Sequence, residues 1–191
     1  IMKTNLSSSI CTCCPMNRRN FLARGSAAAV GTLGLLAAPG WLDAAEAKGK
    51  TRIRIVYALH GEKQTGPDWP NKGFDFKPVM ERINRELDRR CKGFEFVVSL
   101  ATGEEQAKQI LAADQSAGGI DGYLVYQMNC WNRVVQTLAT SGKPVLYADF
   151  QFGGSGGFLV YNAAFLRGQA PNVGFVASSD NKDQAEPVNC F

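Results

Sequence analysis

The chain has 191 residues, of which 45% are hydrophobic and 20% are charged, and its formal net charge is +4. This composition is typical of a globular protein, and the length suggests one domain. The net positive charge is mild, and the Lys and Arg residues are not clustered as they are in proteins that bind a phosphate backbone. This argues against a nucleic-acid partner.

Residues 1–47 have the features of an export signal. A basic start around Arg18 and Arg19 precedes a weakly apolar stretch rich in Gly and Ala, and Ala45-Glu46-Ala47 fits an A-x-A cleavage site. The paired arginines and the two apolar residues that follow Asn20 resemble a twin-arginine signal. An ordinary secretory signal and a short anchor helix are the alternatives.

We therefore predict a mature domain of residues 48–191, located in the periplasm or otherwise exported. Beyond position 50 the chain has no long uninterrupted apolar run, so we expect no stable membrane span after cleavage. Cys91, Cys130 and Cys190 are widely spaced and fit neither a zinc pattern nor a disulfide framework. The sequence predicts no metal ligand in this chain.

Short apolar runs recur at regular intervals after residue 50. They are nearly continuous and rich in β-branched and aromatic residues, which is typical of parallel strands covered on both faces. The five runs are IRIVYAL (53–59), FEFVVSL (94–100), GYLVYQM (122–128), PVLYADF (144–150) and VGFVASS (173–179).

Helical patterns fill the intervals between these runs. The first predicted helix has an apolar face from Phe76 to Leu87, and the second begins at a Thr102-Gly103-Glu104-Glu105 capping box. The third is capped by Asn129 and has Trp131, Val134, Val135 and Leu138 on its apolar face. The fourth runs from Phe158 to Leu166. Ser179 and Asp180 fit the cap of a fifth helix. We expect this last element to be short, or the chain to be the first part of a longer protein.

Five strands that alternate with helices predict an open, doubly wound α/β fold with three layers. We expect a mainly parallel sheet with the flavodoxin-like strand order 2-1-3-4-5. Ligands of such sheets bind beyond the carboxyl ends of the strands, where the winding reverses. For this order the reversal lies between the first and third strands.

Polar side chains collect at the carboxyl ends of the predicted strands, where they help neither strand nor core. The candidate ligand-binding residues are His60, Glu62, Gln127, Asn129, Trp131, Asp149 and Gln151. A carboxylate at the end of a buried strand needs a partner, which a ligand hydroxyl or a backbone amide would supply. Asn129 has helix capping as its alternative role, and Trp131 has packing at the core or its rim.

The predicted connection of residues 60–75 is long for a strand–helix loop, and long loops in compact domains are commonly functional. It contains the single histidine, His60, beside Glu62. The two form a candidate acid/base pair, but no third group orients them, which favours a structural histidine. We assign no catalytic residue.

The GGSGG segment (153–157) lacks the Lys and the spacing of a phosphate-binding loop. It offers backbone amides that an anion could use. A mobile lid or a tight bend is the interpretation that the sequence favours.

Three segments carry a family resemblance: ATGEEQAKQIL (101–111), GIDGYLVYQMNCWNRVVQTLATSGKPVLYADF (119–150) and PNVGFVASS (171–179). They resemble the amino-terminal part of the L-fucose/L-arabinose isomerase-like family over residues 51–180. The resemblance implies a Rossmann-like first domain and a sugar or polyol ligand. In full-length relatives it implies aldose–ketose isomerisation with a divalent metal such as Mn²⁺, whose ligands lie in later domains. It therefore implies no cofactor in this chain.

The sequence as a whole predicts an exported sugar- or polyol-binding α/β domain that is not catalytic alone. A lobe of a periplasmic solute-binding protein and a non-catalytic scaffold domain are the alternatives. We expect a small sugar or polyol as partner. Self-association or further carboxy-terminal domains would cover the exposed edge and apolar surface that such sheets tend to leave.

Overall fold

A computed structural model describes residues 49–66 and 69–191. The predicted export signal and its cleavage site lie outside the described residues. The described elements are, in chain order, β1 (Thr51–Ala58), α1 (Lys77–Arg90), β2 (Phe94–Ala101), α2 (Glu104–Ala117), β3 (Gly122–Gln127), α3 (Val134–Ala139), β4 (Val145–Asp149), α4 (Ser155–Arg167), β5 (Val173–Val176), α5 (Asn181–Ala185) and a 3-10 helix (Glu186–Cys190).

The five strands form one sheet in the order β2-β1-β3-β4-β5, and every neighbouring pair is parallel. The predicted doubly wound α/β fold and its strand order are confirmed. In this strand order the winding reverses between β1 and β3, which is the position that the sequence predicted. Among the described residues, no helix combines the length and the apolar character needed to cross a membrane.

Each face of the sheet carries its own apolar core. On one face, α1 and the carboxy-terminal helices cover a buried set that includes Ile55, Tyr57, Ile83, Leu87, Tyr126 and Val188. On the other face, α2, α3 and α4 cover a buried set that includes Val56, Leu111, Val125, Leu138, Tyr147 and Phe158. Because consecutive strand residues point to opposite faces, the continuous apolar runs supply both cores at once.

A buried ion pair fastens α2 to the sheet. The Arg54 guanidinium on β1 donates through Nε to Asp114 Oδ2 at 2.8 Å and through Nη1 to Ser99 Oγ at 2.7 Å. The Tyr123 hydroxyl donates to Asp114 Oδ2 at 3.1 Å. Side-chain exposure is 17% for Arg54 and 2% for Asp114, so the pair is largely shielded from water.

Three element boundaries differ from those predicted. The third helix begins at Val134, because Trp131 and Arg133 have φ values of 63° and 57°, outside the right-handed helical region. The fourth helix begins at Ser155, so the last three residues of the GGSGG segment belong to its first turn. The second helix has no side-chain cap, and Gln106 takes the place predicted for Glu105: its Oε1 accepts from the Thr102 backbone amide at 2.6 Å.

Candidate functional site at the carboxyl edge of the sheet

The carboxyl ends of the three central strands lie level with one another. Gln127 at the end of β3 is in register with Ala58 on β1 and with Asp149 on β4. Register partners point to the same face of a sheet, which here is the face covered by α4. The structure therefore brings together two of the polar residues that the sequence placed at strand ends.

Gln127 is fully buried and its amide is engaged at both ends. The Tyr147 hydroxyl donates to Gln127 Oε1 at 2.7 Å, and Gln127 Nε2 donates to the Asn129 carbonyl oxygen. Burial raises the pKa of Tyr147, so its hydroxyl stays a proton donor at neutral pH. Gln127 thus positions the turn after β3; direct contact between its amide and a ligand stays a prediction.

Asn129 holds the loop after β1 across the point where the winding reverses. Its Oδ1 accepts from the His60 backbone amide at 2.9 Å, and its Nδ2 donates to Gln64 Oε1 at 3.1 Å and to the Trp69 carbonyl at 3.2 Å. The alternative that Asn129 caps the third helix is wrong, since its side chain is fully buried in these contacts. The N-cap position of that helix is Arg133, whose side chain makes no cap hydrogen bond, and the preceding Asn132 accepts from the Val134 amide through Oδ1 at 3.3 Å.

The first two glycines of the GGSGG segment close the gap between the loops after β3 and β4. A Cβ atom at Gly154 would overlap the Gln127 carbonyl oxygen, and one at Gly153 would overlap the Met128 carbonyl oxygen. A Cβ at Gly153 would also lie 3.2 Å from the Trp69 carbonyl oxygen. The segment is therefore a tight bend, one of the two interpretations that the sequence favoured.

Asp149 is the buried carboxylate of this edge, with 5% of its surface exposed. The Ser155 hydroxyl lies 3.0 Å from its Oδ1 and 3.1 Å from its Oδ2. Burial raises the pKa of Asp149, and the Ser155 hydrogen bond partly opposes that rise. Among the described residues this single hydroxyl is the donor to the carboxylate, which leaves acceptor sites for a further hydroxyl or amide.

Large aromatic side chains stand exposed on the loops of the same edge. Trp69 after β1 is 70% exposed, Trp131 after β3 is 62% exposed and Phe152 after β4 is 59% exposed. The Trp131 ring meets the Tyr161 ring of α4 edge to face, with centroids 6.1 Å apart. The predicted place of Trp131 on the apolar face of the third helix is wrong, because that helix begins three residues later.

The remaining predicted residues are exposed, and no hydrogen bond among the described residues joins any of them to this carboxylate. His60 is exposed, and its Nε2–H donates to the Cys130 carbonyl oxygen at 2.8 Å. Glu62 is exposed and lines a groove between β1, β2 and α2, and Gln151 is exposed after β4. Within the described part of the chain, no hydrogen bond joins the His60 and Glu62 side chains, and the acid/base pair stays a prediction.

Ser155 and Cys130 also belong to the site, although neither was among the candidate ligand-binding residues. The Gly157 amide donates to Cys130 Sγ at 3.2 Å, which joins the turn after β3 to the first turn of α4. Ser155 could have been found from its position, since it is the one hydroxyl in the glycine segment that follows Asp149. Across residues 49–66 and 69–191, no group of three or more His, Cys, Asp or Glu side chains could hold a metal ion.

Comparisons of the chain with protein-family models, with curated proteins and with solved structures give no match. The isomerase-like resemblance therefore depends on the three sequence segments alone, and the site is argued from its geometry.

Proposed function

We propose that the chain is an exported sugar- or polyol-binding domain that performs no chemistry alone and holds its ligand at the carboxyl edge of the sheet. The observation that carries the proposal is the buried Asp149 carboxylate, which has one hydroxyl donor among the described residues and lies on an edge with exposed tryptophans. A charge kept in this position lowers stability, so a role in binding explains it better than a role in folding.

The first turn of α4 lies next to both the Asp149 carboxylate and the backbone of Trp131. Ser155 contacts Asp149, and two residues later a Cβ at Gly157 would lie 3.4 Å from the Trp131 backbone nitrogen. Asp149 and Trp131 therefore flank the same turn. A ligand at this turn would reach the free acceptor sites of the carboxylate with one side and the indole with another.

Sugars and polyols match this pair of groups. Their hydroxyls donate hydrogen bonds that a partly satisfied carboxylate accepts, and a bond to a charged acceptor is worth about 1.5–3 kcal/mol. The carbon–hydrogen face of a sugar ring is apolar and packs against an exposed indole. Gln127 and Asn129 fix the loops that carry these two groups, through contacts on β4 and on the loop after β1.

The family resemblance points to the same ligand class, and the twin-arginine-type start of the chain supports export. In the isomerase-like family the metal ligands lie in later domains, so we propose metal-independent binding by this chain. A divalent metal would matter in a longer relative that carries those domains.

The test is a thermal-shift screen of the full chain against pentoses, hexoses, 6-deoxy sugars and polyols, with and without Mn²⁺. A ligand that binds the folded state raises the unfolding midpoint by mass action. We expect a metal-independent rise with at least one of these compounds, and its loss in Trp131→Ala. Phe175→Ala is the matched control, because Phe175 is an exposed aromatic residue on the edge strand β5 and not on a loop after β1, β3 or β4.

A cooperative unfolding transition whose midpoint no compound moves would contradict the proposal. Equal loss of the shift in Trp131→Ala and Phe175→Ala would contradict the location of the site.

A further inference from the structure

A second groove lies between α1 and the segment that enters α5. Its volume is about 600 Å³, and it is lined by Arg82, Glu86, Arg90, Phe152 and residues 179–182. Arg82, Glu86 and Arg90 follow one another at intervals of four residues, so they form a charged stripe along one side of α1. The opposite wall is formed by the polar residues that begin α5.

Positive charge exceeds negative charge on the α1 wall. Glu86 Oε2 accepts from Arg89 Nη2 at 2.7 Å and from Arg90 Nε at 2.9 Å, so one carboxylate serves two guanidiniums. The hydrogen bond from Arg89, then that from Arg90, lowers the pKa of Glu86, which keeps it ionised. Arg82 adds another positive charge to the same stripe.

The α5 wall adds the ammonium of Lys182. Its one carboxylate, Asp180, accepts the backbone amide of Lys182 at 2.8 Å and so caps α5. Among the described residues, no carboxylate lies within 4.0 Å of the charged groups of Arg82 or Lys182. Two cations without a carboxylate partner therefore line one groove from opposite sides.

Phe152 adds an aromatic side chain to the lining of this charged groove. Its side chain is 59% exposed, and its ring meets the Phe150 ring with centroids 5.6 Å apart, which anchors the loop to the core. The volume falls in the range of sites for small organic ligands, about 300–1,000 Å³. Cations from two walls and an aromatic ring in the lining suit a ligand with one anionic group and a carbon ring.

We propose that this groove binds a small organic anion, a phosphate ester or a carboxylate, whose charged group lies between Arg82 and Lys182 and whose ring packs on Phe152. The guanidinium of Arg82 presents paired donors that fit the oxygens of either group, and the ammonium of Lys182 adds a point charge. The inference does not depend on sugar binding at the carboxyl edge.

Isothermal titration of the full chain with phenyl phosphate, benzoate, inorganic phosphate and benzyl alcohol tests the proposal. We expect phenyl phosphate or benzoate to bind, and the tighter of the two identifies the anionic group. Benzyl alcohol, which has the ring without the charge, should not bind. Arg82→Gln and Lys182→Gln should each weaken binding about tenfold or more, as expected for a lost charge-assisted hydrogen bond.

Three further variants separate this site from general charge and from the carboxyl edge. Arg85→Gln removes a cation from α1 outside the groove lining and should leave binding unchanged. Phe152→Ala should weaken phenyl phosphate more than inorganic phosphate, and Trp131→Ala should weaken neither. Failure of all the anions to bind at millimolar concentration would overturn the proposal, as would equal losses in Arg82→Gln and Arg85→Gln or a dependence on Trp131.

Discussion

Replacement of Asp149 by Asn should stabilise the fold at neutral pH and remove sugar binding. The wild-type carboxylate is 5% exposed, and burial raises its pKa. An Asn side chain has nearly the same shape, keeps an oxygen that accepts from Ser155, and carries no charge to desolvate. The variant therefore removes an energetic penalty from the folded state while it removes the charged acceptor that a sugar hydroxyl would use.

The size and sign of the effect follow from linkage. If folding raises the pKa of Asp149 by one unit, the folded state loses about 1.4 kcal/mol of stability at any pH well above the folded pKa. Between the unfolded pKa, about 3.9, and the folded pKa, the folded state binds more protons, so this contribution makes stability fall as pH rises. Below both values the penalty vanishes. The advantage of Asp149→Asn should therefore be largest at pH 7 and shrink towards pH 4.

Urea unfolding of the wild type and of Asp149→Asn across this pH range measures the difference. Ser155→Ala is the companion variant: it leaves the carboxylate without its hydroxyl donor and should lower stability by about 1–3 kcal/mol at pH 7. A less stable Asp149→Asn variant at pH 7 would refute the reasoning, because the carboxylate would then be satisfied by the fold. A stability difference that does not change with pH would refute it as well.

Two further substitutions test the packing that builds the site. Gly154→Ala should lower stability by about 3 kcal/mol or more, or prevent folding, because the new Cβ overlaps the Gln127 carbonyl oxygen. Gly156→Ala is the control, since the nearest atom to its new Cβ is Cys130 Sγ at 3.3 Å, and it should change stability by no more than about 1 kcal/mol. Equal stability of the two variants in urea would show that the bend adapts. Asp114→Asn should cost about 3–5 kcal/mol, since it leaves the Arg54 charge buried without its partner, whereas a joint Arg54→Met and Asp114→Leu replacement should cost less. A joint replacement that unfolds at lower urea than Asp114→Asn would contradict this account of the pair.

The sheet could be predicted because its signal is local and repeated. Each strand is a short apolar run with turn residues on either side, and the parallel order of five such runs leaves few ways to wind the chain. The gathering of Gln127 and Asp149 followed from the same rule, since parallel strands end at one edge. The third helix was placed too early because its apolar spacing begins at Trp131, whereas the positive φ values of Trp131 and Arg133 depend on the surrounding fold.

The use of each polar side chain could not be predicted, because its partner is distant in sequence. Asn129 is held by Gln64, 65 residues earlier, and Gln127 by Tyr147, 20 residues later. A sequence pattern shows that such residues lie at strand ends. It does not show which of them spend their hydrogen bonds on other parts of the protein. The glycine bend illustrates the same limit, since its need for Gly154 arises from a carbonyl on β3.

The most direct test of sugar binding at the carboxyl edge is a tryptophan fluorescence titration. Of the three tryptophans, Trp69 and Trp131 are exposed on this edge, and Trp41 lies outside the described residues. The titration uses the full chain with L-fucose, L-arabinose and their polyols, and compares it with Trp131→Phe and Asp149→Asn. We predict a saturable change in emission in the wild type that weakens in Trp131→Phe and disappears in Asp149→Asn. A chain that unfolds cooperatively but shows no saturable change with any of these ligands would contradict the proposed function.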